Sequence, residues 1–282
     1  MTAHTSSTTL VLGGTGKTGR RIAARLRTRG FEVRIGSRSA PTPFDWEDRS
    51  TWAPVLSEVT AVYIAYAPDV GLPGAAKSIG DFAEAAVSAG VRRIVLLSGR
   101  GSTGALAAEQ AVQQAGADWT ILRSAFFAQD FTEDEAFADG VRAGFLVFPW
   151  VDVPEPFVDL ADVAEVATTA LVDDGHAGRI YELTGPRMLT FADAAAEIAA
   201  ASGREIAVPP ITEDQFIAGI VEMGAPADFA AQLTGLFAEV LDGRNACLTA
   251  DVRRVLGREP RDFNDYVVEA AAGGAWAEPV PA

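Results

Sequence analysis

Short apolar runs and amphipathic stretches take turns along the first half of the chain. Residues 10–12 (Leu-Val-Leu) form an apolar run that breaks into glycines and predicts a strand, with a helix predicted over residues 21–29. Residues 31–35 (Phe-Glu-Val-Arg-Ile) alternate apolar and charged positions, the two-residue period of a second strand. Residues 44–48 (Phe-Asp-Trp-Glu-Asp) predict a short third strand entering a loop, and residues 59–66 a buried strand stopped at Ala67-Pro68. Within residues 74–89, Ile79, Phe82, Ala83, Ala86 and Val87 keep the i, i+3, i+4 spacing of a helix laid on a sheet, and Gly90 caps it. Residues 93–97 predict another buried strand ending at Ser98-Gly99, residues 105–114 a helix, and residues 119–122 a further strand.

This alternation implies an α/β fold of the Rossmann type, a doubly wound parallel sheet with helices on both faces. Right-handed crossovers put Gly13, Gly36, Ala65 and Ser98 along one edge of the sheet, where ligands bind in such folds. Beyond Arg123 the rhythm changes. Ala125-Phe126-Phe127, the acidic Glu133-Asp134-Glu135 and an apolar segment over residues 144–150 lead to Phe157-Val158-Asp159. Asp159 reads as the N-cap of a helix that has Val163, Ala164, Ala167 and Leu171 on one face, and residues 180–183 as a last strand closed by Gly185-Pro186. From there the pattern is mostly helical. Thr190 and Asp193 form a capping pair before residues 191–201, residues 205–208 predict a short strand, and helices follow near 213–222, 227–241 and around Phe263, Tyr266, Val267 and Ala270. The expected organisation is a dinucleotide-binding domain over residues 1–185, with parts of 124–157 reaching the substrate cleft. A smaller, mostly helical substrate-binding domain is expected over residues 186–282.

Composition narrows the function classes. The chain has 282 residues, nearly half of them apolar, and a net charge of −15 that repels a nucleic-acid backbone. A single cysteine, Cys247, rules out an internal disulfide framework, and two histidines, His4 and His176, leave no His/Cys metal cluster. No apolar run approaches the ~18 residues of a membrane span, and residues 1–9 lack the pattern of a signal peptide. The expectation is a soluble cytoplasmic protein acting on a small molecule, with no nucleic-acid, membrane or metal partner; its oligomeric state is not readable.

The chemistry centres on Gly13-Gly14-Thr15-Gly16-Lys17-Thr18-Gly19. Gly13 permits a tight turn, Gly16 lets backbone approach a pyrophosphate, and Gly19 lets helix and strand pack closely, so that an anion rests on amides at a helix N-terminus. A triphosphate-binding loop is rejected, because the glycine it needs five positions earlier is Val11. About 20 residues beyond the turn, where a carboxylate would bind the ribose 2′-hydroxyl of NAD, stand Ser37 and Arg38. A hydroxyl and a guanidinium suit the 2′-phosphate of NADP(H), with Lys17 contributing; the plain alternative is a polar loop that happens to contain Arg. His176 sits in a glycine-rich turn and reads as structural, Cys247 as inert, and residues 133–135 as a solvated surface. Phe126, Phe127, Phe148, Trp150 and Phe157 line an apolar pocket or join two domains.

Three stretches fall in an order that resembles the NmrA-like, atypical short-chain dehydrogenase/reductase family. They are residues 13–19, Ile121-Leu122-Arg123 with Phe126-Phe127 and Gln129-Asp130, and Phe157-Val158-Asp159-Leu160-Ala161-Asp162-Val163-Ala164. Phe44-Asp45-Trp46, Ala65-Tyr66-Ala67-Pro68 and residues 256–263 are more particularly similar to the festuclavine/agroclavine dehydrogenase branch. Ser124 stands where the family usually has Pro, and Asp130 where Asn is usual. The resemblance implies that Gly13, Thr15, Gly16, Thr18 and Gly19 cradle the pyrophosphate and that Lys17, Ser37 and Arg38 hold the 2′-phosphate. It also implies Asp45 near the adenine, and Ala65, Tyr66 and Ser98 beside the ribose and nicotinamide. The substrate is expected against Phe126, Phe127 and Trp150, between that edge and the C-terminal helices.

Between Ser98 and Arg123 there is neither Tyr nor Lys, so the Tyr-x-x-x-Lys pair that protonates a carbonyl oxygen in ordinary reductases is missing. No residue is assigned as the catalytic acid. The expected activity is therefore an NADPH-dependent reduction that needs hydride more than a proton, at an iminium or imine group or an activated C=C bond of a small, largely apolar substrate. A non-catalytic NADP-binding regulator of the NmrA-like kind and a quinone or enone reductase are the alternatives.

Overall fold

The computed structural model describes residues 8–133 and 135–277. In chain order its elements begin with β1 (Thr8–Leu12), α1 (Lys17–Thr28), β2 (Glu32–Gly36), a 3-10 turn (Arg49–Thr51), α2 (Trp52–Leu56), β3 (Val59–Ile64) and α3 (Ala75–Ser88). β4 (Arg93–Gly99), α4 (Thr103–Gln114) and β5 (Asp118–Ser124) follow, then α5 (Asp130–Glu133), α6 (Glu135–Ala143), α7 (Leu160–Val172) and β6 (Arg179–Leu183). The rest is helical: α8 (Phe191–Ser202), α9 (Glu213–Glu222), α10 (Ala227–Val240), α11 (Asp251–Leu256) and α12 (Phe263–Ala272). Asp134 of the acidic run, most of the amino-terminal stretch read for a leader, and the tail beyond residue 277 lie outside the described residues. Among the described residues no helix is long and apolar enough to cross a membrane.

The strands form one six-stranded parallel sheet in the order β2-β1-β3-β4-β5-β6. The chain is thus an α/β, Rossmann-like protein with a helical C-terminal region. The side-chain period of two divides the sheet's buried residues between its faces. Leu10, Leu12, Val62, Ile64, Ile94, Leu96 and Ile121 pack with α3 and α4 through Ile79, Phe82, Ala83, Ala105, Ala108 and Val112. Full burial of a side chain such as Ile79 or Phe82 contributes roughly 1.5–3 kcal/mol. Val11, Tyr63 and Val95 alternate with these and are also fully buried; α1 and α7 pack together and against the strands.

Residues 44–48 are not a strand. Local side chains take the backbone donors a ladder would need: Asp45 Oδ1 accepts from Glu47 N at 3.0 Å, and Asp48 Oδ1 from Ser50 N at 3.0 Å. Phe44 is instead buried in a ring cluster, 4.9 Å from Trp46 and 5.4 Å from Phe82. Without that strand β2 is the sheet's edge, and the order reads 2-1-3-4-5-6 rather than 3-2-1-4-5-6. The segment 205–208 is also not a strand: Ala207 makes a single bridge to Phe145, just before Pro209-Pro210. α1 begins at Lys17, four residues earlier than periodicity predicts, because the glycine turn feeds straight into it. The short helices α2, α5, α6 and α11 are additions that periodicity did not announce.

Two compact units emerge, and their bounds differ from a division after residue 185. The first holds the chain up to Ser124, Leu160–Leu183 and Asp251–Arg258; the second holds Ala125–Asp159, Thr184–Ala250 and the chain from Glu259. Residues 125–159 belong to the second because Phe131, Phe148 and Phe157 pack with Phe191, Phe263 and Trp276. Asp251–Arg258 returns to the first unit, where Asp251 Oδ2 accepts from Glu182 N of β6 at 2.8 Å and Arg258 reaches the buried Asp162 at 2.7 Å. In the second unit Thr190 and Asp193 form the predicted capping box, and Arg187 forks onto Glu197 and Asp262.

Candidate functional site

The glycine turn is built from backbone alone. Gly13 follows β1 with φ +65°, a left-handed conformation that a side chain disfavours, and its N–H donates to Gly36 O at 3.1 Å. Gly16 N donates back to Gly13 O at 2.9 Å, closing the turn. Gly19 then lies so close that a Cβ there would stand 2.2 Å from Gly13 O. Thr15 and Gly16 are exposed at the tip, and Gly16, the N-cap of α1, has no side chain with which to cap it. No acidic residue lies in the first turn, so no carboxylate of α1 itself offsets the positive end of the helix. Lys17 is half-buried at the first helical position, and Thr18 is buried.

Other predicted residues converge on the same carboxyl edge of the sheet. Ala65, just past β3, has its Cβ 3.3 Å from where a Gly13 Cβ would stand, so the ends of β1 and β3 meet. Past β2, Ser37 O accepts from Phe44 N at 3.0 Å, fixing the loop that carries Arg38. Arg38 is exposed and has no ion-pair partner among the described residues. Asp45 is held by its backbone, with its N–H donating to Thr51 Oγ1 at 3.0 Å and its carbonyl accepting from Trp52 Nε1 at 2.9 Å. Tyr66 is half-buried, its ring 5.0 Å from Trp46.

Ser98 is different. It is buried at the end of β4, and its hydroxyl donates to Glu109 Oε1 on α4 at 2.6 Å. Arg123 of β5, in register with Ser98, donates to both Glu109 oxygens, at 2.9 and 2.7 Å, and these hydrogen bonds hold its guanidinium above the usual pKa. Glu182 of β6 completes the network, 3.5 Å from Arg123 and 3.3 Å from the buried Arg100. Glu109, Glu182 and Arg100 were not anticipated. The available signal was a carboxylate, Glu109, inserted among Ala105, Ala108 and Val112 on the apolar face of α4. Tyr63 is also at this end of the sheet, but burial raises its phenol well above the ordinary value, which disfavours it as an acid at an open site.

In the second unit Phe126 and Trp150 belong to one ring cluster, joined through Phe237 at 5.9 and 6.2 Å. Phe127 is half-buried and bridges to Val158 through its backbone. Phe148 and Phe157, ambiguous in sequence, are core residues. His176 accepts at its carbonyl from Thr120 Oγ1 at 2.8 Å and pairs through Nδ1 with Tyr181 Oη at 2.9 Å, a structural role. Cys247 is a free, exposed thiol. Among the described residues no three His, Cys, Asp or Glu side chains gather as a metal site.

Known proteins agree with this architecture. Residues 13–174 match a family model described as NAD(P)H-binding. The chain is 32% identical over 274 residues to the uncharacterized oxidoreductase YesF of Bacillus subtilis, covering 93% of this chain and 95% of that one. It is 33% identical over 281 residues to the agroclavine dehydrogenase of Claviceps fusiformis, covering 92% and 96%. Among solved structures, the Citrobacter sp. triphenylmethane reductase complexed with NADP(H) superposes with a TM-score of 0.71, covering 94% of this chain and 99% of that one. At 20% identity, that likeness is one of fold.

Proposed function

On the premise that the chain belongs to the NmrA-like, NAD(P)H-binding family of atypical short-chain dehydrogenase/reductases and is an NAD(P)H-dependent reductase, we propose that it uses NADPH to reduce a small, largely apolar substrate. The reducible group in this reading is an iminium or imine, or an activated C=C bond. The observation that carries it is the glycine turn. Its backbone packs so tightly that Gly19 admits no Cβ, while its tip stays open, a cradle suited to a pyrophosphate at the N-terminus of α1.

Each residue then has a task. The turn from Gly13 to Gly19, with Thr15 and Thr18, holds the pyrophosphate; Lys17, Ser37 and Arg38 hold the 2′-phosphate. The lack of a carboxylate on Arg38 supports this, since a paired guanidinium would have to give up its partner first. Asp45 stands by the adenine, and Ala65 and Tyr66 by the ribose and nicotinamide. Bound there, NADPH supplies the hydride. Ser98, in this reading, has no proton to give: it is already donated to Glu109, so the hydroxyl offers a lone pair only. A hydroxyl of that kind does not assist a carbonyl oxygen that must be protonated, whereas an iminium carbon accepts hydride and leaves a neutral amine with no acid at all; an imine enters as its protonated iminium, and an activated C=C bond leaves a stabilised anion that takes its proton from solvent. Phe126, Phe127 and Trp150 are the apolar side chains this reading assigns to the substrate.

Two measurements test the proposal. Saturating NADPH, at about 100 times its Kd, stabilises the protein by roughly 2.7 kcal/mol; NADH at the same concentration does much less, and Arg38→Ala removes the difference. NADPH oxidation against cyclic imines, enones and quinones then identifies the reducible group. Equal stabilisation by both nucleotides refutes the 2′-phosphate assignment, and turnover of simple ketones alone refutes the substrate class.

A further inference from the structure

Charge is unevenly spread along this chain. Residues 17–38 hold eight of its 23 Lys and Arg and one of its 38 Asp and Glu, in a protein of net charge −15. They form α1 and β2, so a strongly basic stretch lies at the edge of the sheet. Arg25 pairs with Glu165 of α7 at 3.5 Å, and Arg29 with Asp173 just past it at 2.8 Å. Arg27, on the same helix, is exposed and has no ion-pair partner among the described residues.

β2 pairs with β1, and no described segment pairs with its other side. Backbone groups along a strand point to its two sides by turns. Gly36 O accepts from Gly13 N on the β1 side, so Gly36, Arg34 and Glu32 face β1, and the N–H and C=O groups of Val33 and Ile35 face outward. A groove of about 450 Å³ lies against this strand, lined by Arg27, by Val33, Arg34 and Ile35, and by Pro41 and Thr42. Its one carboxylate, Glu32, accepts from Thr8 Oγ1 at 3.4 Å. Arg34 donates to Val55 O at 2.8 Å and to Ser57 O at 2.6 Å, which leaves Arg27 as the uncommitted cation of the groove. An open backbone edge of this kind is a template for another strand.

We propose that β2 and α1 form a docking site for an acidic, extended segment of another protein, which adds to the sheet beside Val33 and Ile35 and sets a carboxylate against Arg27. Main-chain hydrogen bonds to the edge supply affinity, and the basic stretch selects the charge of the segment. Charge complementarity decides between occupants. A second copy of this chain brings the same arginines to the edge, so like charges oppose a symmetric pairing of β2 with β2. A nucleic acid is repelled by the net charge of the whole molecule and has no peptide backbone with which to extend a sheet. The inference goes beyond the reduction proposed above and does not rest on it.

The test titrates three dye-labelled peptides into the full chain and follows their fluorescence anisotropy. The first alternates valine and glutamate over eight residues. The second has lysine for glutamate; the third has proline for valine, which keeps the charge and disfavours strand pairing. The first binds at least about tenfold more tightly than either control, and added salt weakens it. Its binding slows hydrogen exchange at the Val33 and Ile35 amides, a readout that charge alone would not move. Arg27→Gln weakens the acidic peptide by about 2- to 5-fold and Arg27→Glu by more, with the melting temperature of the Gln variant preserved because Arg27 is exposed. Equal binding of either control peptide overturns the proposal, as does wild-type affinity in both Arg27 variants or unchanged exchange at Val33 and Ile35. A single-stranded oligonucleotide that displaces the peptide at equal concentration also overturns it, as does a concentration-dependent dimer in which those two amides are already protected.

Discussion

Replacing Gly19 by Ala puts the glycine turn under direct load. The new Cβ would lie 2.2 Å from Gly13 O and 2.7 Å from both Gly13 C and Gly14 Cα, against an ordinary contact that starts at 3.4 Å. All three atoms are backbone, so no side chain can swing aside; the turn has to move by about 1 Å or α1 has to tilt off β1. Overpacking of this kind costs about 1–3 kcal/mol, and at roughly 2–4 °C per kcal/mol the melting temperature falls by several degrees. In the proposed site the same displacement takes turn amides away from the pyrophosphate. Losing one hydrogen bond to a charged group, worth about 1.5–3 kcal/mol, weakens NADPH by about 10- to 150-fold. Gly16→Ala is the companion. Its Cβ meets Gly13 O at 3.2 Å, a contact relieved by a few tenths of an ångström, and its φ of −79° is open to Ala. It keeps its stability within about 1 kcal/mol but loses NADPH affinity, since the methyl stands where the proposed site takes the phosphate. Thermal scanning reads the first effect, and calorimetric titration of NADPH the second. Wild-type affinity in Gly19→Ala, with its melting temperature lowered as expected, would show that the turn is packed as described but does not hold the nucleotide.

Three further outcomes follow from the packing. Glu109→Ala leaves Arg123 facing Glu182 alone and Ser98 without its acceptor; breaking a buried pair costs about 3–5 kcal/mol, and the partial exposure of Arg123 sets the loss near the lower end, read by chemical denaturation. Thr190→Ala removes the oxygen that accepts from Asp193 N at 2.9 Å and costs about 1 kcal/mol, whereas Thr190→Ser restores it. The Asp262 carboxyl is held below its usual value chiefly by its hydrogen bonds from Arg187, and that of Asp193 by its hydrogen bonds from Thr190. Depressed carboxyls stabilise the fold above their unfolded pKa and lose that contribution as pH falls through the folded value. Stability therefore drops below about pH 4, and Asp262→Asn shallows the acid limb; an unchanged acid limb in that variant would rule out the Arg187 pair as its source.

Much of this molecule was legible along the chain because its signals are local. Period-two and period-3.6 patterns depend on neighbours a few residues apart, so β3, β4, α3 and the box at Thr190 emerge from sequence with only end residues adjusted. The glycine turn is local too: the spacing of Gly13, Gly16 and Gly19 demands that backbone meet backbone, and in the fold it does. The segment 44–48 misled because its apolar residues satisfy strand periodicity while Asp45 and Asp48 satisfy the backbone in another way, and the folded chain brings Trp52 of α2 and Phe82 of α3 against Phe44 and Trp46.

The sequence alone thus determined the α/β alternation, the tight glycine turn and the absence of a Tyr/Lys pair after Ser98. Tertiary structure decided which strand forms the edge of the sheet, which unit residues 125–159 and 251–258 join, and where the proton of Ser98 is committed. Those outcomes turn on partners far apart in the chain, Glu109 with Arg123 and Glu182, Asp251 with Glu182, Phe157 with Phe263. Burial makes each pairing energetically decisive, since a charge or ring removed from water needs a partner that only the folded chain brings within reach.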